Sequence, residues 1–226
     1  MIIQLSTLSC ETLGTLALAF KFLGAAFYAP PAETLLASLR DEDLLSDWLL
    51  PSDDVNTAQG LGLLRTFVVS ADLLELLNLA RTDYNALFLG PDALLAPPWE
   101  SVYLSPEHLL WDDQTLGVRA AYAHFGLQIP RLDREPDDHI GFELLFLSHL
   151  CDQAADALEK GLVAEANKIV AAARDFLHAH TQRWAGLFAE RVTRSARTDY
   201  YRGLAYLLSG SLSYLDAALA EDGTPA

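Results

Sequence analysis

Positive charge is scarce in this chain of 226 residues. Fifteen Lys and Arg face 31 Asp and Glu, for a net charge of −16. A phosphate backbone would be repelled by such a surface, which argues against a nucleic-acid-binding face. A cationic partner is the better electrostatic match, although acidity also serves plain solubility. Cysteine is nearly absent too. Cys10 and Cys151 form no CxxC pair, so a disulfide framework is excluded and a reducing compartment fits. The longest run without a charge is 13 residues, Gly203–Leu215, too short to cross a bilayer. The first residues lack the positive stretch of a secretory signal, so the expected location is the cytoplasm. There is no GxSxG, GxGxxG, P-loop or HExxH, no strand-period alternation and no fixed repeat.

What is present is helical periodicity. Hydrophobic residues make up 51% of the chain, enough for one sizeable core. Leu13, Leu16, Phe20, Leu23 and Phe27 recur at the spacing of an amphipathic helix over 11–28, stopped by the prolines of "APPAE". Shorter helices are expected over 32–39 and 42–49, then a helix over 55–79 with Leu64, Phe67, Leu74 and Leu77 inward. A short helix is expected over 84–89. Residues 90–107 read as a Pro-rich loop carrying Trp99, Val102 and Tyr103. Helices follow over 112–125, 137–157, 160–181, 183–194 and 199–220. In the last, Leu204, Leu208, Leu215 and Leu219 share a side. The expected architecture is all-α: a single domain over 1–226 of about nine to eleven helices. Arg183, Arg191, Arg194, Arg197 and Arg202 are expected to form a local basic strip.

The densest chemistry is "EPDDHIGFE", residues 135–143, with four acids and a histidine. As a metal site it is poor: His139 and Glu143 share a helix face, but His149 points elsewhere and Cys151 falls on the apolar side. As an acid/base centre it is also poor, because acids at a helix start are held ionised by the dipole. The plain reading is a well-capped helix with His139 a satisfied polar residue. No cofactor is implied.

Three pieces in order change the weighting. They are Tyr84, Leu87 and Phe88 followed by Gly90-Pro91; then Pro97-Pro98-Trp99-Glu100-Ser101-Val102-Tyr103-Leu104; then Glu135-Pro136-Asp137-Asp138-His139. Together they resemble the TorD/DmsD family of redox-enzyme maturation chaperones, the DmsD branch above all. The likeness is strong over 84–150, and "DYYRGLAYL" (199–207) is similar to the family's last helix. The resemblance implies an all-helical cytoplasmic protein that is not an enzyme. It would bind the twin-arginine signal peptide of a molybdenum-cofactor oxidoreductase of the DMSO or TMAO reductase kind, before export by the twin-arginine translocation (Tat) machinery.

The family's binding determinants carry onto Leu87, Phe88, Pro98, Trp99, Ser101, Tyr103, Glu135, Pro136, Asp138 and His139, with Tyr84 and Asp137 beside them. Glu100 departs from a common glycine and Pro106 from an arginine frequent in the DmsD branch. Tyr84 and Tyr103 replace tryptophans. Independently of the resemblance, guanidinium groups favour planar carboxylate partners. Glu135, Asp137, Asp138 and Glu100 would take the arginines. Leu87, Phe88, Trp99 and Tyr103 would take the apolar stretch that follows. Monomer and domain-swapped dimer both remain open, as does contact with the translocon. A NarJ-like assembly factor for a non-exported enzyme is the alternative, and a nucleotide-hydrolysing chaperone a third reading.

Overall fold

Short polar side chains set several helix starts. Ser9, Asp54 and Asp72 accept backbone N–H bonds from Thr12, Thr57 and Glu75 at 3.0, 2.7 and 2.9 Å, which satisfies donors that a helix end leaves orphaned. The computed structural model describes residues 8–41, 43–51, 53–91, 93–105, 110–130 and 135–220. Ten α-helices occur among them: α1 Cys10–Tyr28, α2 Glu33–Asp41, α3 Val55–Val68, α4 Leu73–Tyr84, α5 Glu100–Leu104, α6 Asp113–His124, α7 Ile140–Glu159, α8 Val163–Ala179, α9 Thr181–Ser195 and α10 Asp199–Leu219. No strand occurs among the described residues, and the all-α reading stands.

Two glycine crossings organise the core. Helix α1 lies on α7 and α3 on α10. A methyl group on Gly24 would come within 2.9 Å of the Gly141 carbonyl, and one on Gly60 within 2.7 Å of the Gly203 carbonyl. Backbone therefore meets backbone at both crossings, and only glycine leaves the room. Around them the buried apolar residues form one cluster. Phe27 packs edge-on against Phe88 and Phe188, at 6.1 and 5.3 Å between ring centroids. Full burial of each such side chain contributes about 1.5–3 kcal/mol. By length and composition α1 could cross a membrane. Here nine of its residues are buried, packed largely on α7.

Several expected boundaries move. The helix expected over 55–79 is two helices. Ser70 Oγ donates to the Phe67 carbonyl at 2.8 Å, Arg40 binds the Val68 and Ala71 carbonyls, and Asp72 starts α4. The break re-phases the pattern, so Leu74, expected inward, is 67% exposed while Leu77 is buried. The helix expected over 42–49 is, among described residues, a 3-10 turn at Asp43–Leu45. The short helix expected over 84–89 is a π-turn, Asn85–Leu89, continuing α4. The loop expected over 90–107 contains α5. Its Pro106 lies outside the described residues.

Candidate functional site

Two segments far apart in sequence are zipped into one seam. Ile140 N–H donates to the Pro98 carbonyl at 2.8 Å and Glu100 N–H to the Asp138 carbonyl at 2.9 Å. Trp99 and His139 thus form an isolated antiparallel bridge. Asp138, fully buried, accepts from Ser101 N–H and from Thr115 Oγ1, both at 2.8 Å. Its carboxylate caps α5 from across the fold and ties α6 to the same point. Asp137 is also buried. Its Oδ2 accepts from Arg119 Nε at 3.0 Å and Nη2 at 2.8 Å, while its carbonyl accepts from Tyr122 at 3.2 Å.

Helix α7 begins at Ile140, not at 137 as expected, and His139 is its N-cap. The His139 Nδ1 accepts from Gly141 N–H at 3.0 Å, and Tyr28, Trp99 and Phe142 crowd the ring at centroid distances of 5.5, 5.9 and 5.7 Å. Burial pushes its pKa down to about 3, so the ring is neutral. One turn on, Glu143 accepts from Trp184 Nε1 at 3.2 and 3.3 Å. Burial first, then the nearby Glu100, drives its pKa well above the usual carboxyl range. This corrects the expectation that the acids of 135–143 all stay charged: the dipole acts on the first turn, but Glu143 faces the core. Glu100 is buried as well, with His180 Nδ1 at 2.9 Å from its Oε2.

The other expected residues divide by depth. Tyr84, Leu87 and Phe88 are core. Tyr84 donates to the Tyr28 carbonyl at 2.6 Å, and burial with the charge of Glu135 raises its pKa to about 12. Pro98, Ser101 and Pro136 are buried in the seam, whereas Trp99, Tyr103 and Glu135 are half-buried at its outer side. Tyr28 donates to Glu135 at 3.2 Å. Tyr103 lies 5.2 Å from Trp184, with the Arg191 guanidinium 5.0 Å over its ring. An open floor of four carboxylates is therefore not what folds. Glu135 alone of those four is partly open; Asp137 and Asp138 are engaged inside the chain.

Sequence reading missed Arg119, Thr115, His180, Trp184 and Tyr28, which complete the seam from α6, the α8–α9 junction, α9 and α1. No spacing marks them, because they arrive by tertiary packing. It also missed Asp83, whose buried carboxylate accepts from Arg197 and Thr198 N–H and caps α10. Of the expected basic strip, Arg191 lies on Tyr103, Arg194 pairs with Glu190 at 3.6 Å and Arg202 with Asp199 at 3.0 Å, and Arg197 and Arg202 line one cavity. Among the described residues no group of three or more His, Cys, Asp or Glu could hold a metal. Cys10 and Cys151 are free thiols.

This seam sits in an all-helical chain whose curated relatives are named as chaperones. Residues 51–190 match the family model described as nitrate reductase delta subunit. The chain is 30% identical over 203 residues to the Tat proofreading chaperone DmsD of Salmonella typhi, covering 88% of each. It is 28% identical over 201 residues to the probable Tat proofreading chaperone DmsD of Haemophilus influenzae, covering 87% of this chain and 88% of that one. Over 206 residues it is 28% identical to the chaperone protein YcdY of Escherichia coli, covering 89% and 94%. The chain belongs to this family, on its TorD/DmsD side.

Proposed function

We propose that this chain binds the twin-arginine signal peptide of a molybdenum-cofactor oxidoreductase in the cytoplasm. It would hold the precursor until the cofactor is in place and then release it to the Tat machinery. The single observation that supports this most is the seam: Pro98–Ser101 and Asp138–Ile140, joined by three backbone-anchored bonds of 2.8–2.9 Å. A peptide surface gains affinity when its contact groups are held rigid before binding. In this reading Trp99, Tyr103 and Glu135 meet the leader. Pro98, Ser101, Pro136, Asp137, Asp138 and His139 fix the seam. Tyr84, Leu87 and Phe88 support it from below. The net charge of −16 draws the cationic end of the leader in.

Calorimetric titration of a synthetic twin-arginine leader, against the same leader with twin lysine, tests the proposal. Binding with at least tenfold preference for arginine is expected, because only the guanidinium makes a fork to carboxylate. Absence of binding by either peptide would remove the export role. Equal binding of a leaderless client would favour the NarJ-like alternative.

A further inference from the structure

Arg119, Asp137 and Trp111 make a constellation of which the sequence motifs contain only Asp137. Arg119, from the middle of α6, sends Nε and Nη2 to one oxygen of Asp137 at 3.0 and 2.8 Å. Its guanidinium carbon lies 6.0 Å from the centroid of the Trp111 ring. The Arg119 side chain is 31% exposed, whereas Asp137 is 1% exposed. Trp111 is 43% exposed, a large indole left open to water. It also takes a φ of +66°, the one described non-glycine residue in the left-handed region, a conformation that persists only where surroundings enforce it. The second oxygen of Asp137, Oδ1, is buried with no partner among the described residues. A carboxylate oxygen so placed lacks a donor it would normally have.

These are the parts of a guanidinium site: a carboxylate oxygen that takes two N–H groups, an aromatic face and an unfilled acceptor. We infer that Arg119 occupies a subsite on Asp137 and Trp111 as an internal stand-in, and that an arginine of the leader peptide displaces it. This inference rests on the proposed leader binding and deepens it. It accounts for how a buried carboxylate would serve recognition: the charge is kept paired until a ligand guanidinium takes over, so no unpaired buried ion arises. It also supplies discrimination against lysine, whose compact ammonium can neither fork nor stack in the same way. Competition by Arg119 lowers the apparent leader affinity, since the open state is only fractionally populated.

The test is titration of the full chain with twin-arginine and twin-lysine leader peptides, before and after Arg119→Ala. Thermal melting is followed with and without peptide. Arg119→Ala is expected to melt lower without peptide, to bind the twin-arginine leader at least tenfold more tightly than the wild type, and to show a larger peptide-induced rise in Tm. If Arg119 serves stability alone, Tm falls while affinity stays unchanged, and the inference is overturned. Trp111→Leu keeps the apolar bulk without the ring. It is expected to reduce the preference for arginine over lysine at least threefold, and an unchanged preference would overturn the subsite even should Arg119→Ala fail to fold. If wild-type protein binds neither peptide, it is the leader-binding proposal that fails, which separates the two.

Discussion

The Gly24–Gly141 crossing and the Pro98–His139 seam hold the same helix, α7, in opposite ways. At the crossing, Gly24 and Gly141 let two backbones touch, and the contact is shape alone. At the seam, two residues earlier in the chain, position is set by directional bonds to Asp138 and Pro98 among buried groups. Dispersion is short-ranged and forgiving in direction, so it fixes how close helices come. A buried carboxylate with fixed donors fixes where a loop sits, at the cost of desolvation that only good geometry repays. A seam built on such bonds is rigid and breakable in one place.

The largest effect is expected from breaking the seam. Asp138→Ala strips the partners of Ser101 N–H and Thr115 Oγ1 in the interior and should cost about 3–5 kcal/mol, as loss of a buried charged hydrogen-bonding group does. Urea denaturation would measure it. Next comes the second glycine crossing, between α3 and α10. Gly60→Ala places a methyl 2.7 Å from the Gly203 carbonyl and 2.9 Å from the Leu207 amide. Both are backbone atoms, so the helices must part, costing about 1–3 kcal/mol. Gly62, with nothing within 4 Å, is the control, and Gly62→Ala should be neutral or slightly stabilising.

The smallest effect runs the other way. The Glu143 carboxyl has a raised pKa in the folded state. Its contribution is present in full below the unfolded value near pH 4.3 and is lost as pH rises through the folded pKa. Glu143→Gln keeps an acceptor for Trp184 and removes the charge penalty. It should raise Tm modestly at pH 8, with the gain vanishing toward pH 4. His139 opposes this trend. With its pKa down at about 3, its neutral ring stabilises the fold above pH 6.5, and that stability is lost as pH falls toward 3. A wild-type optimum between these limits, read by melting from pH 4 to 9, would sharpen the comparison.

The all-α class, the inward faces of α1 and α10 and the two segments of the candidate site were legible in the sequence. Period and punctuation are local signals, and Leu13, Leu16, Phe20, Leu23 and Phe27 carry theirs within one helix. The break at Ser70–Asp72 was less visible, because its cause lies partly in Arg40, 28 residues from the carbonyl of Val68 that it binds. "EPDDHIGFE" announced that charge would gather at the start of α7. It did not announce depth. Only packing decided that Asp137 would meet Arg119, that Asp138 would cap α5 and that Glu143 would face Trp184. A carboxylate's role depends on which donors reach it and how much water is left, and both are set by segments distant in sequence.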